Sequence, residues 1–334
     1  MQQQLIADWL QQNQATVNEK SELNLPAYAE QLAAVTAGTA CSWLSKFSIL
    51  RISGDDATAF LQGQFSCDVA AVAENGVSWG SYSTAKGRMQ ASFLLFGSMG
   101  VFHLLLRRDI ADTFRKRLSM FVLRAKVKIE SVDDSMLALG VMQANASNGV
   151  LPQREIVAGE DLVATVASNV RIVLTAAPAA VLAQWQTSHR AVGSQAWDWV
   201  FVQAGLPWVS QATYEEFVPQ MANLDLLGGI SFKKGCYPGQ EIVARTQYLG
   251  KVKRRLYRAR VTAAAVNEGD ALIAASSGEQ TIGRIVMVVP LMDGSSECLL
   301  VMQSGAWDEQ PKLAADAQSS LVQLPLPYSL PDAD

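Results

Sequence analysis

The sequence predicts an α+β protein whose last third is all β. Two observations support this class. From residue 47 onward, alternating strand-like segments are interspersed with shorter helical segments, and after residue 251 short strand patterns recur between glycine-containing turns. A chain of 334 residues is typical of about two domains, and 49% hydrophobic with 17% charged residues is an ordinary globular composition.

The first two-thirds of the chain alternate between strand and helix patterns. Residues 1–40 are rich in Gln and Ala and are expected to form a peripheral arm or helices. Strands are predicted at 47–53, 79–83, 89–96, 101–106, 137–142 and 170–174. Helices are predicted at 57–63, at about 109–121 and across 178–204.

The C-terminal part carries predicted strands at 255–261, 271–274, 281–289, 297–302 and 321–324, which favour a small antiparallel barrel or sandwich. The predicted organisation is an N-terminal arm (1–41) and a first α+β lobe (42–135). A second α+β lobe (136–204) follows, then a motif segment (205–250) with return segments to the first lobe, and a C-terminal β-barrel (251–330).

Several functional classes find no support. No apolar stretch is long enough to span a membrane and the N-terminus lacks a basic, then apolar leader, so a cytoplasmic location is expected. The four cysteines are scattered without a CxxC pair, which is typical of reduced thiols. Neither GxGxxG nor GxxxxGK[ST] occurs, so dinucleotide and P-loop sites are unsupported.

The most informative motif is the octapeptide of residues 234–241, Lys-Gly-Cys-Tyr-Pro-Gly-Gln-Glu. Pro238 suits the first turn of a following helix, which places Cys236 just before a helix N-terminus. The helix dipole and the lysines at 233 and 234 then favour thiolate over thiol. The alternative is a small buried cysteine that happens to lie in a turn.

Charge is unevenly distributed. The net charge is −4, yet residues 233–260 hold nine basic residues against Glu241, and residues 107–128 hold eight against two acids. Such a distribution predicts a positive face suited to an anionic small molecule or a nucleic-acid backbone. The alternative is two solvated surfaces that do not meet.

Three further groups are candidates for ligand binding. Lys86-Gly87-Arg88 places two cations at a turn. The turn could bind an anion, or it could be a solvated hairpin tip. Gln220 and Asn223, three apart, would share a helix face and could bind a heteroaromatic edge, or could serve only as caps. Trp197, with two neighbouring tryptophans, is suited to a flat ring ligand or to core packing.

These residues resemble the signature of the YgfZ family of folate-binding proteins, which are related to the T protein of the glycine cleavage system. The octapeptide, residues 219–224 and residues 228–233 carry the likeness. Supporting matches lie at 60–64, 68–69, 86–88, 124–127 and 325–328, so that the likeness spans roughly residues 42–330.

The resemblance implies a ring of two α+β lobes and a C-terminal antiparallel β-barrel around a tetrahydrofolate site. It implies that Cys236 is the functional thiol, and one role consistent with this is that of a transient iron ligand. The candidate folate contacts are Phe47, Trp197, Lys86, Arg88, Gln220, Asn223, Tyr237, Glu241 and Arg245. Phe47 replaces a tryptophan that is common in the family. The implied partners are folate, iron–sulfur enzymes such as a radical-SAM tRNA methylthiotransferase, and tRNA through the basic segment 233–260.

One difference from the T protein bears on activity. A strand carboxylate assists aminomethyl transfer there, whereas residues 76–108 contain no Asp or Glu, and Gln90-Ala91 stand where the acidic pair is expected. Independent aminomethyltransferase activity is therefore not expected. The leading hypothesis is a folate-binding accessory protein for iron–sulfur enzymes and, through them, tRNA methylthiolation. The alternatives are a folate-dependent one-carbon transferase or demethylase, and a tRNA-binding module.

Overall fold

We describe a computed structural model of the chain, which covers residues 2–143, 151–155, 160–248, 252–275, 278 and 280–331. The chain folds as two compact units, each assembled from three separate stretches. Unit 1 comprises Met1–Ser81, Phe93–Trp197 and Leu227–Tyr237, and unit 2 comprises Tyr82–Ser92, Asp198–Leu226 and Pro238–Asp334. Both are therefore completed only by distant parts of the sequence.

Eight α-helices occur in the described residues. They are α1 (Gln2–Gln12), α2 (Tyr28–Thr36), α3 (Ala57–Gln62), α4 (Val69–Val72), α5 (Arg108–Ser119), α6 (Pro178–Trp185), α7 (Ser194–Ala204) and α8 (Gln240–Tyr248). Short 3₁₀ helices lie at Gln211–Thr213, Pro219–Ala222 and Ser304–Glu309. None of the helices in these ranges is long and apolar enough to cross a membrane.

The first nine strands are β1 (Thr16–Val17), β2 (Leu23–Asn24), β3 (Ala40–Trp43), β4 (Phe47–Ser53), β5 (Val77–Ser83), β6 (Met89–Ser98), β7 (Val101–Arg107), β8 (Lys128–Ser131) and β9 (Leu137–Met142). The others are β10 (Gln153–Glu155), β11 (Leu162–Ala167), β12 (Val170–Thr175), β13 (Arg190–Ala191), β14 (Arg254–Thr262), β15 (Ala271–Ile273), β16 (Gly283–Pro290), β17 (Ser296–Gln303), β18 (Lys312–Leu313) and β19 (Ser320–Leu324).

These strands form three larger sheets and one short hairpin. The sheet orders are β5-β6-β7-β4-β8, β10-β11-β12-β9-β3-β13 and β18-β15-β16-β17-β14-β19, with β1-β2 as the hairpin. The β3–β13 pair is parallel, whereas the other pairings of the second sheet are antiparallel. In the third sheet the edge strands β18 and β19 approach each other, so the sheet curls into a half-barrel.

The core of unit 1 contains an aromatic cluster that fixes α5. The rings of Phe65 and Phe93 lie 4.5 Å apart, and each lies 6.4 Å from the ring of Phe114 on α5. Ile110, Phe114 and Leu118 are buried on α5, a spacing of four that places them on one helix face. The helix is therefore attached to the sheet by its apolar face, and its basic residues Lys116 and Arg117 are exposed.

The core of unit 2 fills the half-barrel. Tyr257, Leu272, Ile285 and Leu300 are buried together there, and the ring of Trp307 meets that of Tyr257 edge to face at 5.5 Å. The alternation of apolar and polar residues along β14 places every second side chain toward this interior. The recurrent short strands therefore confirm the predicted all-β C-terminal part.

The structure confirms most predicted elements and corrects one. Residues 1–40 contain the helices α1 and α2, which is one of the two predicted alternatives, and Trp9 and Leu23 are buried in one cluster with Leu139 and Leu182 of unit 1. The segment 178–204 is not helical throughout, because the short strand β13 pairs with β3 between α6 and α7. The predicted lobe boundaries stay a prediction.

Candidate functional site

The loop that carries Cys236 is anchored inside unit 1 by the lysine two residues before it. The Nζ of Lys234 donates hydrogen bonds to the carbonyl oxygens of Phe65 and Cys67 at 2.7 and 2.8 Å. The ring of Tyr237 lies 5.2 Å from the same ammonium group. Burial lowers the pKa of Lys234. The lysine thus ties both sides of Cys236 to one point of the core.

A serine hub holds the start of the same loop. Ser66 Oγ donates to the carbonyl oxygen of Gly229 at 2.6 Å, and Ser66 O accepts from the amide of Ser231 at 2.8 Å. Ser66 Oγ also accepts from the amide of Ser81 at 2.8 Å. These bonds fix the chain before Lys234, so the loop has two anchoring points in unit 1.

Cys236 itself is exposed, whereas Cys41, Cys67 and Cys298 are buried. Burial raises the pKa of Cys41 and of Cys67 to about 12, and it raises the pKa of Cys298 as well. Those three thiols are therefore protonated and shielded at neutral pH. The structure singles out Cys236 as the thiol that solvent and partners can reach.

Two details of the predicted thiol environment differ. Helix α8 begins at Gln240, so Pro238 and Gly239 form a turn before it and Cys236 lies four residues upstream. The ammonium of Lys234 donates to main-chain carbonyls, while Lys233 is exposed. Stabilisation of a thiolate by the helix and by these lysines stays a prediction.

Substituting Lys234 by methionine should loosen the loop. The change keeps an unbranched side chain, one atom shorter, but removes hydrogen bonds from a charged donor, and we expect a loss of about 1.5–3 kcal/mol in the free energy of unfolding. Urea unfolding checks this value, and the rate of modification of Cys236 by a chromogenic disulfide should rise. Lys233→Met is the matched control, because Lys233 is exposed. Equal stability of the two variants would contradict the anchoring role.

In unit 2, the second half of the octapeptide packs on the Lys86-Gly87-Arg88 turn. Gly239 has a φ of 82°, and a Cβ there would lie 2.7 Å from Gly87 Cα and 2.6 Å from Thr84 O. Gly87, with a φ of 74°, lies against Ile242 of α8. Both glycines are required by this close backbone approach. The two motifs, far apart in the sequence, are thus in contact.

The flanking cations of this turn have different environments. Lys86 is exposed, whereas Arg88 is half-buried and its Nη1 donates to the carbonyl oxygen of Glu216.

Three further candidate folate contacts lie in the octapeptide or just after it. Glu241 and Arg245 are exposed on α8. Tyr237 of unit 1 is 7% exposed, and burial raises its pKa to about 12. The roles of these residues and of the two cations as folate contacts stay predictions.

Gln220 and Asn223 are fully buried and bind different elements of unit 2. Gln220 Nε2 donates to the carbonyl of Val243 on α8 at 2.7 Å, and Asn223 Nδ2 donates to the carbonyl of Leu256 on β14 at 3.0 Å. They do not share a helix face, because the 3₁₀ helix ends at Ala222 and Asn223 is left-handed with a φ of 56°. Both side chains therefore join neighbouring elements.

A carboxylate that sequence reasoning missed lies beside Gln90. Gln90 Nε2 donates to Glu215 Oε1 at 2.6 Å, across 125 positions. Glu215 has a φ of 60°, which is unfavourable for a residue with a Cβ. Its backbone is held by a bond from its amide to Met89 O, while Met89 N donates to Phe217 O. Neither the separation nor the backbone conformation has a signal in the sequence.

Three arginines of the basic segment 233–260 are paired with carboxylates inside unit 2. Arg255 forms a buried pair with Asp225 at 2.7 Å, and Arg258 and Arg260 both bind Glu297. Arg254 donates to a main-chain carbonyl, and Lys251 lies outside the described residues. Carboxylates that are distant in sequence therefore offset part of the charge of this segment, while Lys233 and Arg245 are exposed, and the single positive face stays a prediction.

The two predicted aromatic contacts are buried in unit 1. Phe47 is 3% exposed and Trp197 is 1% exposed. A Cβ at Gly140 of β9 would lie 2.1 Å from Trp197 Cζ2, so the indole packs directly on this glycine. The indole of Trp197 therefore packs in the core, as in the second of its two predicted roles. Contacts of Phe47 or Trp197 with a pterin stay a prediction. Among the described residues, no group of three or more His, Cys, Asp or Glu side chains could hold a metal ion.

Comparison with known proteins gives the family. No family model matches the chain. It is 32% identical over 305 residues to the tRNA-modifying protein YgfZ of Photobacterium profundum, covering 86% of this chain and 91% of that protein. It is 31% identical over 307 residues to the protein of the same name from Klebsiella pneumoniae, covering 87% and 93%.

The chain belongs to the YgfZ family. Its fold is shared with the glycine cleavage system aminomethyltransferase T from Bartonella henselae, with a TM-score of 0.73 over 96% of this chain and 95% of that one. Sequence identity to that structure is 14%, so the likeness shows the fold alone. The predicted α+β class is thereby confirmed for this YgfZ-family chain, and the predicted C-terminal antiparallel β-barrel is a sheet curled into a half-barrel.

Proposed function

We propose that the chain is a folate-binding accessory protein that supports iron–sulfur enzymes and through them tRNA modification, with a thiol-dependent step at Cys236. The observation that carries the proposal is the exposed thiol on a loop anchored at two points. The names of its relatives, tRNA-modifying proteins, supply the process. An iron–sulfur enzyme such as a radical-SAM tRNA methylthiotransferase is the proposed client.

Unpartnered oxygens in unit 2 fit a tetrahydrofolate ligand. Ser83 Oγ, Gln90 Oε1 and Gln220 Oε1 are buried and have no hydrogen-bond partner among the described residues. Such atoms are uncommon in folded proteins. The N–H edge of a pterin would supply donors for the amide oxygens, and exposed Lys86 would suit its anionic glutamate tail. The bound folate would supply one-carbon chemistry, and the residues of the chain would orient it.

Two measurements on the full chain test this function. Calorimetric titration with tetrahydrofolate should show one site per chain. In cells whose own copy is deleted, expression of the chain should restore methylthiolated tRNA nucleosides, quantified by mass spectrometry. Absence of tetrahydrofolate binding would contradict the proposed cofactor. Unchanged methylthiolation of tRNA in the deletion strain would contradict the role in tRNA modification.

Gln90→Leu tests the folate contact in unit 2. The change removes the bond to Glu215 together with the unpartnered oxygen, so we expect little loss of stability. Tetrahydrofolate affinity should fall about tenfold, which corresponds to the loss of one hydrogen bond of about 1.4 kcal/mol. The matched control is Gln323→Leu, on the exposed face of β19. Unchanged affinity in the Gln90 variant would place the pterin elsewhere.

A second candidate, folate-dependent one-carbon transfer, is favoured by the Gln90–Glu215 contact. The contact brings a carboxylate within hydrogen-bond distance of Gln90, in the strand where the sequence has no acid. The chain should then convert 5-methyl- or 5,10-methylenetetrahydrofolate in the presence of an acceptor, and Glu215→Gln should abolish turnover while binding persists. If the wild-type chain leaves both folates unchanged, as measured by chromatography, this candidate fails.

A further inference from the structure

The end of α5 and the turns that follow it in unit 1 carry basic and apolar side chains. We call residues 115–126 the basic tip. Three of its apolar side chains are exposed to solvent: Met120 by 67%, Phe121 by 42% and Leu123 by 87%. Soluble proteins seldom expose adjacent large apolar residues, and a group of them marks an interaction surface.

The charges around these apolar residues are positive. The cations of the tip are Arg115, Lys116, Arg117, Arg124 and Lys126, and the tip contains no acid. Asp112 pairs with Arg115 at 3.3 Å and Asp55 with Lys126 at 3.0 Å. In the described part of the chain no carboxylate pairs with the other three cations. A polyanion is therefore the complementary partner.

The tip is ordered before it binds anything. The amides of Phe121, Val122 and Ala125 donate to carbonyls three residues earlier, at 3.1, 3.2 and 2.8 Å. Its base is fixed by the amide of Lys126, which donates to Asp56 Oδ2 at 2.7 Å. Gly54, with a φ of 123°, lets the backbone pass Lys126, where a Cβ would lie 2.0 Å from the carbonyl oxygen. The apolar side chains are thus presented on a fixed turn, which lowers the entropy lost on binding.

One aromatic ring among guanidinium groups suits a nucleobase. The Cζ of Arg117 lies 5.4 Å from the ring centroid of Phe121. Proteins bind unpaired RNA bases by stacking them on aromatic rings while Arg and Lys contact the phosphates. The tip combines both features within one short segment.

We infer that the basic tip is an RNA-contacting surface that stacks an unpaired base on Phe121 and binds flanking phosphates through Lys116, Arg117 and Arg124. The inference rests on the proposed role in tRNA modification. We place this contact at the tip in preference to segment 233–260, where Arg255, Arg258 and Arg260 bind carboxylates of unit 2. The tip also has a packing connection to the thiol loop, since Phe114 of α5 lies against Phe65, whose carbonyl accepts from Lys234.

Titration of the full chain with an unmodified tRNA transcript, at 50 and 200 mM salt, tests the inference. Phe121→Ala should weaken binding about tenfold at both salt concentrations, because a stacked base is lost. The double variant Lys116→Gln, Arg124→Gln should weaken binding and lower the slope of log affinity against log salt by about two. Met292→Ala, at a residue 65% exposed in unit 2, and Lys20→Gln are the matched controls.

Two outcomes would overturn the inference. One is equal tRNA affinity of the wild type and the tip variants. The other is co-sedimentation of the chain with vesicles of phosphatidylglycerol, lost in Phe121→Ala, without any tRNA binding, which would make the tip a membrane contact. Failure of the proposed function is separate, because it appears as unchanged methylthiolation on deletion of the chain, whatever the tip binds.

Discussion

Cys236→Ala is expected to abolish support of tRNA methylthiolation while the fold and tetrahydrofolate binding stay near wild type. The side chain is exposed, so its truncation should change the free energy of unfolding by no more than about 0.5 kcal/mol. Sulfur is the group at this position that can ligate iron, form a disulfide or attack carbon. The measurement is the methylthiolated nucleoside content of cells that express only the variant.

The other cysteines provide the control. Cys41→Ala removes a buried thiol and should retain methylthiolation. A chromogenic disulfide should modify one thiol in the native wild-type chain, none in Cys236→Ala, and four in the unfolded wild type, since the chain has four cysteines. Full methylthiolation with Cys236→Ala would end the proposal of a thiol-dependent step.

The largest loss of stability is expected for Glu297→Ala. This carboxylate is 3% exposed and accepts from Trp199 Nε1 at 3.0 Å, from Arg258 at 2.6 Å and from Arg260 at 3.3 Å. Removing it leaves Arg258 partly buried without its counter-ion. Loss of one partner of a buried pair costs about 3–5 kcal/mol, which urea unfolding measures.

The same carboxylate makes stability depend on pH. Burial alone would raise the pKa of Glu297, but the hydrogen bonds from Arg258 and Trp199 outweigh it and hold the pKa below its ordinary value. A carboxyl with a lowered folded-state pKa stabilises the fold above its unfolded pKa and loses this contribution as pH falls through the folded pKa. The wild type should therefore lose stability on acidification more steeply than Glu297→Gln.

A neighbouring carboxylate is the matched control for both experiments. Asp293 lies 3.8 Å from Arg260 with 57% of its side chain exposed. Asp293→Ala should have a much smaller effect on unfolding, because solvent screens exposed ion pairs. If the two alanine variants were equally stable, the assignment of Glu297 as the centre of a buried network would be wrong.

The strands that the sequence predicted correctly are those in which buried and exposed residues follow a regular pattern. The strand β9 at Leu137–Met142 and the five longer strands of the half-barrel coincide closely with predicted segments. The strand β13 has two residues and is defined by its parallel partner β3, so no local period could reveal it. The burial of Trp9 likewise depends on α6 and β9, which are distant in sequence.

The site was predictable to the extent that it is local. The octapeptide identified Cys236 as the candidate thiol, and the exposure of its side chain is consistent with that role. The charge count of 233–260 could not show that Asp225 and Glu297 bind three of its arginines. The contact of Glu215 with Gln90 joins residues 125 positions apart and depends on a left-handed backbone. These ion pairs and hydrogen bonds join residues that are distant in sequence, so composition and local patterns could not predict them.

The division of unit 2 into three stretches has a consequence for biosynthesis. Residues 82–92 leave the ribosome before residues 198–226, and the partners of the half-barrel follow only after residue 238. At about 5–20 residues per second, the first stretch waits on the order of ten seconds for the second. Tyr328, which donates to Gly205 O at 2.8 Å, arrives later still. Newly made chains should therefore keep residues 82–92 without their partners in unit 2 until residues 198–226 have been synthesised.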